Sequence, residues 1–368
     1  MDRSQLLSLT TEEKIGQLFM IGLPGPAIDD TTRDLLDTVR PGGVCLFARN
    51  IREASQTREL NDAIRDLFNI EPILTLDQEG GLVDRLRRVL TPMPAAEKIK
   101  SPADASRLAA IIAEAVRILG FNMDFAPVVD VVNDRRAAFS NGLHSRSFGR
   151  SEHDVVELAG AFLSELQNGS VVGCLKHFPG LGASEVDSHE ELPVVNLTSD
   201  ELFSTDLFPY RSLLSNGSVH SVMVAHAAYP RLDLQETGQN GKLLPSSLSY
   251  KIVTTLLRNE LGFKGLVLTD DLEMGAILKN YGIGEASKMA ILAGQDMLAI
   301  CANPDAVLEG YRAVTAAVDS GEISEERLDD SIERIADLKS RLTPPALFDA
   351  SRLDELSAAI ARLNEQLN

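Results

Sequence analysis

The chain has 368 residues, of which 44% are hydrophobic and 24% charged, a composition typical of a globular protein with a substantial core. Its formal net charge of −19 argues against nucleic acid and anionic membrane surfaces as partners, since both favour clustered Lys and Arg. Cys45, Cys174 and Cys301 each lie inside an apolar run, and no stretch reaches the roughly 20 apolar residues that a membrane helix needs. We therefore expect buried free thiols and a cytoplasmic protein.

Short apolar runs that alternate with segments of helical periodicity predict the secondary structure. The predicted strands are, in chain order, 17–23, 43–47, 73–77, 122–130, 171–178, 221–226, 265–270 and 296–301. The predicted helices cover 55–67, 102–119, 152–168, 245–261, 284–293, 304–319, 325–341 and, as an amphipathic tail, 351–367. This alternation indicates a parallel sheet covered by helices.

Eight strands and this chain length favour an α/β fold closed into a (β/α)8 TIM-type barrel. An open doubly wound sheet is the alternative, but such a sheet normally carries a glycine-rich phosphate turn after its first strand, and residues 22–26 are a poor version of one. No repeat or linker divides the chain. We expect one barrel domain over residues 1–342, with a C-terminal helical tail over 343–368 packed on it.

Charged or titratable residues end five of the predicted strands. They are Asp77, Asp130, Lys176 with His177, His226, and Asp270. Barrel enzymes place their chemistry at the carboxyl ends of strands. Any one of these residues could be a helix cap or a solvated edge, but the five together predict an active site.

The segment 176–193, KHFPGLGASEVDSHEELP, carries the densest cluster of such groups. Lys176 and His177 emerge at the end of a predicted strand, and Asp187 and His189 lie on the loop beyond. In an extended loop, residues i and i+2 point the same way, so the carboxylate of Asp187 can lie against the imidazole and raise its basicity. An Asp–His pair of this kind indicates acid/base catalysis.

Several segments that occur together, and in this order, resemble glycoside hydrolase family 3, specifically the single-domain bacterial β-N-acetylglucosaminidases of the peptidoglycan-recycling type. These segments are DQEGG at 77–81, RSFG at 146–149, KHFPG at 176–180, DSH at 187–189 and TDDLEM at 269–274. The resemblance covers nearly the whole chain. The DSH segment marks the glucosaminidase branch, because other branches take the acid/base carboxylate from a second domain, which we do not expect here.

The resemblance implies a retaining exo-β-N-acetylglucosaminidase that removes terminal N-acetylglucosamine from muropeptides or related glycosides through a covalent glycosyl-enzyme. Asp270 aligns with the nucleophile, and its rival Asp271 is expected to anchor the following helix. His189, oriented by Asp187, takes the place of the usual second carboxyl group. An imidazole with a pKa near neutrality can first protonate the leaving oxygen and then activate water.

The terminal sugar is, by the same resemblance, bound by Asp77, Arg85, Arg146, Lys176 and His177. Arg85 could instead be a helix-surface residue, Lys176 could simply pair with Asp77 or Asp270, and His226 could be a core histidine. The implied partner is a small carbohydrate, without metal or cofactor. The oligomeric state stays open.

Three departures from the family pattern leave substrate choice open. Leu82 stands where an arginine usually follows the two glycines, Leu181 replaces the histidine of a Gly-His-Gly loop, and residues 132–145 lack the usual asparagine-proline pattern. The alternatives are a phosphorylase of different aglycone specificity, a family-related β-glycosidase and a non-catalytic sugar-binding barrel. An aldolase with a Schiff base at Lys176, or a metal hydrolase, would use the same strand ends differently.

Overall fold

The computed structural model describes residues 3–139, 141–185, 191–238 and 241–367. In chain order the strands are β1 (Phe19–Gly22), β2 (Gly43–Cys45), β3 (Ile73–Thr75), β4 (Gln78–Gly80), β5 (Val83–Asp84), β6 (Met123–Asp124), β7 (Val172–Gly173), β8 (Leu175–Phe178), β9 (Ser221–Val224), β10 (Leu266–Asp271) and β11 (Met297–Ile300). Each of the eight predicted strand runs overlaps at least one of them.

The main sheet has seven parallel strands in the order β3-β2-β1-β11-β10-β9-β8. Its strands consist almost entirely of buried residues, as expected of a parallel sheet with both faces covered. Gly22 ends β1 at a point where an added Cβ would lie 1.9 Å from the carbonyl oxygen of Cys301, so glycine lets β1 and β11 approach closely. The predicted α/β class with a parallel sheet is confirmed, and the sheet is curled.

The short parallel pair β6–β7 lies between the two edge strands of this sheet. On one side, the backbone N–H groups of Asn122 and Phe125 donate to Leu74 O (3.0 Å) and Leu76 O (2.9 Å), next to β3. On the other side, Cys174 N donates to Ala126 O at 2.8 Å, at the junction of β7 and β8. The main sheet and the pair are thus joined by backbone hydrogen bonds, while β4 and β5 form a separate antiparallel hairpin.

Helices cover the sheet. They are α1 (Arg3–Leu7), α2 (Thr11–Gln17), α3 (Asp30–Val39), α4 (Ala54–Asp66), α5 (Pro102–Ile118), α6 (Glu152–Asn168), α7 (Ser199–Glu201), α8 (Phe208–Leu214), α9 (Gly275–Leu278), α10 (Ile283–Ala293), α11 (Pro304–Asp319), α12 (Glu325–Lys339) and α13 (Ala350–Leu367). Capping residues determine where several of these helices begin. Helix α6, for example, begins with a capping box made by Ser151 and Asp154. The predicted helix over 245–261 is instead a 3₁₀ turn, Ser246–Leu248, followed by a π-helical segment, Lys251–Glu260.

Helix α13 packs against α5, and its apolar residues Leu353, Leu356, Ile360 and Leu363 are buried. Asn364 Nδ2 also donates to Pro92 O at 2.9 Å. Nowhere in the described ranges does a helix combine the length and the apolar character needed to cross a membrane. Cys45, Cys174 and Cys301 are all buried and unbridged, as predicted.

One lysine is buried far from the carboxyl ends of the strands. Lys339, at the end of α12, is 1% exposed, and its Nζ lies 2.8 Å from Gln17 Oε1. The amide of Gln17 is itself oriented, because its Nε2 donates to Arg40 O at 3.1 Å. Burial lowers the pKa of Lys339 from 10.5 to about 7, and Glu71 opposes this shift only in part.

This burial predicts a pH-dependent cost to stability. Between pH 7 and 10.5 the unfolded chain binds a proton that the folded chain lacks, so Lys339 makes the free energy of unfolding rise with pH by about 1 kcal/mol per unit. In Lys339→Met this contribution is absent. We therefore expect urea denaturation at several pH values between 7.5 and 9.5 to show that the free energy of unfolding of wild type, relative to that of the variant, rises by about 1 kcal/mol per pH unit.

The difference in the free energy of unfolding between wild type and variant does not contain the contributions of the titratable groups that both proteins share. The exposed Lys264→Met is the matched control, and its difference from wild type should not change with pH. A difference between wild type and Lys339→Met that stays constant over this range would contradict the prediction.

Candidate active site

A cavity of about 430 Å³ opens at the carboxyl ends of the parallel strands. Its walls include Asp77 after β3, Lys176 and His177 in β8, and Asp270 at the tip of β10. The carboxyl ends of parallel strands meet at one edge of the sheet, so residues far apart in the chain face a common space. Arg85 and Arg146 line the same cavity. The structure therefore brings together every predicted sugar-binding residue.

Five charged side chains form one network beside the cavity. Lys176 Nζ lies 2.7 Å from Asp77 Oδ1 and 2.6 Å from Glu79 Oε1. Arg146 holds Glu79 through both carboxylate oxygens, at 2.8 and 2.9 Å. Arg85 Nη2 lies 3.2 Å from Asp77 Oδ2. Arg85 follows the β4–β5 hairpin and is not on a helix, so the helix-surface interpretation is wrong.

The protonation states of this network follow from its pairing. Burial alone would raise the pKa of Asp77, but Lys176 and Arg85 outweigh it and hold that pKa well below its usual range. Burial would also raise the pKa of Glu79, but the neighbouring charges of Arg146 and Lys176 outweigh this effect and lower the pKa to about 2. At Lys176, burial would lower the pKa, but Asp77 and Glu79 raise it above its ordinary value. A Schiff-base lysine must be neutral to attack a carbonyl, so this environment contradicts the aldolase alternative.

His177 is held by Asp130 at the back of the site. Its Nδ1 lies 2.7 Å from Asp130 Oδ2, and its Nε2 lies 3.4 Å from Arg146 Nη2. The carboxylate accepts, so we assign the proton to Nδ1, which leaves the Nε2 lone pair on the side of Arg146. Asp130 also accepts the backbone N–H of Leu181 at 2.6 Å. Asp130 therefore fixes both His177 and the start of the loop that follows.

The first part of that loop is firmly attached to its surroundings. Tyr229 donates its hydroxyl hydrogen to Gly180 O at 2.8 Å, and Asn141 Nδ2 donates to Ser184 O at 2.7 Å. Leu181 is buried and lines the cavity. Asp187 and His189, the predicted acid/base pair, lie outside the described residues.

Two adjacent carboxylates stand at the tip of β10, and their environments differ. Asp270 Oδ1 accepts from Asp271 N at 2.8 Å, whereas Asp271 Oδ1 accepts from Glu273 N at 3.0 Å. Burial, with Glu273 and Asp270 nearby, raises the pKa of Asp271 to about 7. Strand alternation predicts that the two side chains face opposite ways, yet both line the cavity. The pairing of β10 with β11 shifts register between Leu268 and Asp271, which breaks the alternation.

His226 supports this tip from behind. Its ring is fully buried, with Nε2 3.0 Å from Asp271 O and Nδ1 2.7 Å from Ser247 Oγ. A carbonyl oxygen only accepts, so Nε2 donates to it and Ser247 donates to Nδ1. This geometry matches the hydrogen-bonded core histidine that the sequence left open.

Glu79 belongs to the DQEGG segment at 77–81, but the sequence alone assigned it no role. The signal was present: Asp77 and Glu79 are two residues apart in an extended segment, so their side chains point to one side. Both accept from Lys176. The hydrogen bonds between Asn141 and Ser184 and between His177 and Asp130 could not be predicted from local sequence, because the bonded residues lie 43 and 47 positions apart.

The buried pairing of Glu79 predicts a large and pH-dependent effect of its removal. Glu79→Gln leaves Lys176 and Arg146 short of a buried negative charge, and we expect the free energy of unfolding at pH 7 to fall by about 3 kcal/mol. Because burial and pairing together leave the folded pKa of Glu79 near 2, below its ordinary 4.5, its contribution is present above pH 4.5 and is lost as the pH falls towards 2. The cost of the substitution should shrink over that range in urea denaturation.

Glu322→Gln is the matched control. Glu322 pairs with Lys288 at the surface and its side chain is 48% exposed, so its loss should cost no more than about 0.5 kcal/mol. Equal costs for the two variants, or a cost at Glu79 that is independent of pH, would contradict the assignment.

Several known glycoside hydrolases are similar to this chain. A curated β-hexosaminidase of Nitrosomonas eutropha is 32% identical over 332 residues, covering 87% of this chain and 91% of the relative. A glycoside hydrolase family 3 β-N-acetylglucosaminidase from a Paenibacillus species superposes with a TM-score of 0.88 at 33% identity, covering 98% of this chain and 69% of that one.

A third similar structure, a glycosyl hydrolase of the same family from Mycobacterium smegmatis, has a TM-score of 0.80 at 32% identity and covers 93% of this chain and 99% of its own. Residues 10–338 match the N-terminal domain of glycosyl hydrolase family 3. The chain is therefore a glycoside hydrolase and belongs to glycosyl hydrolase family 3.

Proposed function

We propose that the protein is a retaining exo-β-N-acetylglucosaminidase, which removes terminal non-reducing N-acetylglucosamine from peptidoglycan-derived muropeptides or related glycosides. The observation that carries this proposal is that Asp270 lines the same cavity of about 430 Å³ as Asp77, Arg146, Lys176 and His177. A space of this size suits one sugar ring between a carboxylate and a set of hydrogen-bonding groups. The β-hexosaminidase and β-N-acetylglucosaminidase names of similar proteins support the choice of sugar.

The terminal sugar is bound by the charged network. Asp77 accepts hydrogen bonds from adjacent hydroxyls, and Lys176 and Arg146 donate to sugar oxygens, all with the strength of charge-assisted bonds. The distances of 2.6 to 2.9 Å from Lys176 and Arg146 to Asp77 and Glu79 mean that these groups are oriented before the sugar arrives. His177 adds the Nε2 lone pair, in a ring that Asp130 holds in place. Little reorganisation is then needed on binding.

Asp270 is the nucleophile. Its carboxylate oxygen attacks the anomeric carbon and forms an ester bond as the bond to the leaving oxygen breaks. The environment of Asp271 supports this choice, because that carboxyl group is engaged by Glu273 N and its pKa of about 7 leaves much of it protonated at neutral pH. Through Asp271 O, His226 holds the backbone next to the attacking group.

His189, with Asp187, supplies the proton. It protonates the leaving oxygen as the glycosidic bond breaks, and then, now neutral, it takes a proton from the water that attacks the anomeric carbon and releases Asp270. The preceding segment supports this role, since Leu181 lines the cavity and Ser184 is bonded to Asn141. His189 is four residues beyond Glu185, within about 14 Å along an extended chain.

We also propose that the scaffold is a closed (β/α)8 barrel over residues 1–342, with residues 343–368 as its helical tail. In this arrangement β6 is the fourth strand, and β7 and β8 together form the fifth. The backbone hydrogen bonds that connect β6 with β3 and with the junction of β7 and β8 support the proposal. The match of residues 10–338 to the family domain supports the boundary of the tail.

Adjacent carboxylates allow a matched test of the nucleophile. Asp270→Asn removes the attacking group and should lower kcat on a chromogenic N-acetylglucosaminide by at least about a thousandfold, whereas Asp271→Asn should retain at least about a tenth of the activity. A fluorinated N-acetylglucosamine analogue that traps the glycosyl-enzyme should label Asp270. Labelling of another residue, or activity on the corresponding glucoside alone, would overturn the assignment.

A series of leaving groups tests the acid/base pair. Asp187→Ala weakens proton donation, so its loss of kcat/KM should grow as the leaving group becomes more basic and needs the proton more. Aryl N-acetylglucosaminides that span a range of phenol acidity give this comparison, with wild type measured in parallel. If the loss is the same for activated and unactivated substrates, Asp187 has no part in proton transfer to the leaving group.

A further inference from the structure

A second cavity opens at the amino ends of β9 and β10, away from the tip of β10 that carries Asp270. We call this cavity the amino-end pocket. Its volume is about 240 Å³, and its lining residues fall within 214–220, 262–266 and 334–341. The amino-end pocket and the candidate active site share none of their described lining residues.

The segment before β10 is packed closely against the segment before β9. Leu266 N donates to His220 O at 3.0 Å. An added Cβ at Gly265 would lie 2.5 Å from the same oxygen, so glycine allows this close approach. The backbone of Lys264 is therefore fixed near His220, while the side chain of Lys264 stays exposed.

Basic side chains from three separate segments line the amino-end pocket. They are His220 before β9, Lys264 before β10, and Arg334 and Arg341 in and after α12. Asp337 is the one acidic side chain among the described lining residues. Permanent positive charge thus exceeds negative charge here, although the whole chain has 54 acidic residues and only 35 Lys and Arg. A concave surface with an excess of one sign attracts small ions of the other sign.

Two of these cations are available to a ligand. Arg334 is already paired, with Asp296 Oδ1 at 3.2 Å and Asp330 Oδ2 at 3.5 Å. Across the described part of the chain, in contrast, neither Lys264 nor Arg341 takes part in an ion pair. Both are exposed, so their charged groups can move towards a bound anion without breaking an existing contact.

His220 is close enough to Arg341 to be affected by its charge. The pKa of His220 lies below its ordinary 6.5, mainly because the ring is partly buried and further because Arg341 disfavours a second positive charge. An anion bound between these two side chains would favour the protonated ring. The histidine therefore offers a sensor for the occupancy of the pocket.

We propose that the amino-end pocket binds a phosphate group, as inorganic phosphate or on a small ester. Arg341 offers a planar fork of donors and Lys264 a flexible ammonium group, from two different segments. A phosphate group carries nearly two negative charges and three strong acceptor oxygens, so it can accept from both cations and from His220 at once. A carboxylate has one charge and two oxygens in one plane, and it would satisfy fewer of these donors.

The size of the pocket limits the rest of the ligand. Sites for drug-sized molecules have volumes of roughly 300 to 1,000 Å³, so the smaller amino-end pocket suits a phosphate group with at most a short carbon chain. The buried side chains of Val219, Phe263 and Leu266 supply apolar lining for such a chain. This inference goes beyond the proposed function and does not depend on it.

Titration of His220 in the full-length protein tests the proposal. The C2 protons of the histidines are followed by NMR between about pH 5 and pH 8, in chloride and in about 20 mM phosphate at equal ionic strength. We expect phosphate to raise the pKa of His220 and to leave that of the exposed His153 unchanged. His220→Gln identifies the signal by its loss.

The same signal at pH 7 gives the affinity. We expect a Kd of about 1 mM for inorganic phosphate, and Arg341→Gln and Lys264→Gln should each weaken binding about tenfold, the effect of losing one charge-assisted hydrogen bond. Arg312→Gln is the matched control, because Arg312 is exposed on α11 and lies outside the pocket, so it changes the net charge equally. Its Kd should match wild type.

The proposal is overturned if phosphate leaves the pKa of His220 unchanged or shifts His153 as much as His220. It is also overturned if Arg341→Gln binds phosphate as wild type does, or if Arg312→Gln weakens binding as much as Arg341→Gln. Glycerol 3-phosphate, titrated in parallel, separates the two sources of the group: tighter binding than inorganic phosphate identifies an ester as the ligand, and equal or weaker binding identifies the free ion. None of these measurements requires glycosidase activity, so their outcome leaves the proposed function unaffected.

Discussion

The buried contact of Lys176 with Asp77 and Glu79 is the interaction on which the cavity depends. A lysine with a side chain only 2% exposed is tolerable only when its charge is compensated at close range, and these two carboxylates compensate it at 2.7 and 2.6 Å. The contact joins β8 to the segment around the β4–β5 hairpin, 99 residues earlier in the chain. Arg146 then adds a third segment, so one electrostatic unit shapes the wall that faces Asp270.

The titratable residues at the strand ends divide into two groups. Asp77, Lys176, His177 and Asp270 line the cavity. Asp130 and His226 lie behind it, and each uses its hydrogen bonds to hold another group: His177 in the first case and the backbone of Asp271 in the second. Both kinds are required, since a polar group in the wall is only as well placed as the bonds that orient it.

The sequence by itself determined the α/β class, the strand runs, most helix positions and the family, because apolar periodicity, capping residues and short motifs are local properties. It also identified Asp77, Lys176, His177 and Asp270 as residues at strand ends. Only the tertiary structure decided that Glu79 completes the network, that Asp130 and His226 lie behind the wall, and that both Asp270 and Asp271 face the cavity. These outcomes depend on contacts between distant segments and on a register shift in β10, which no local pattern encodes.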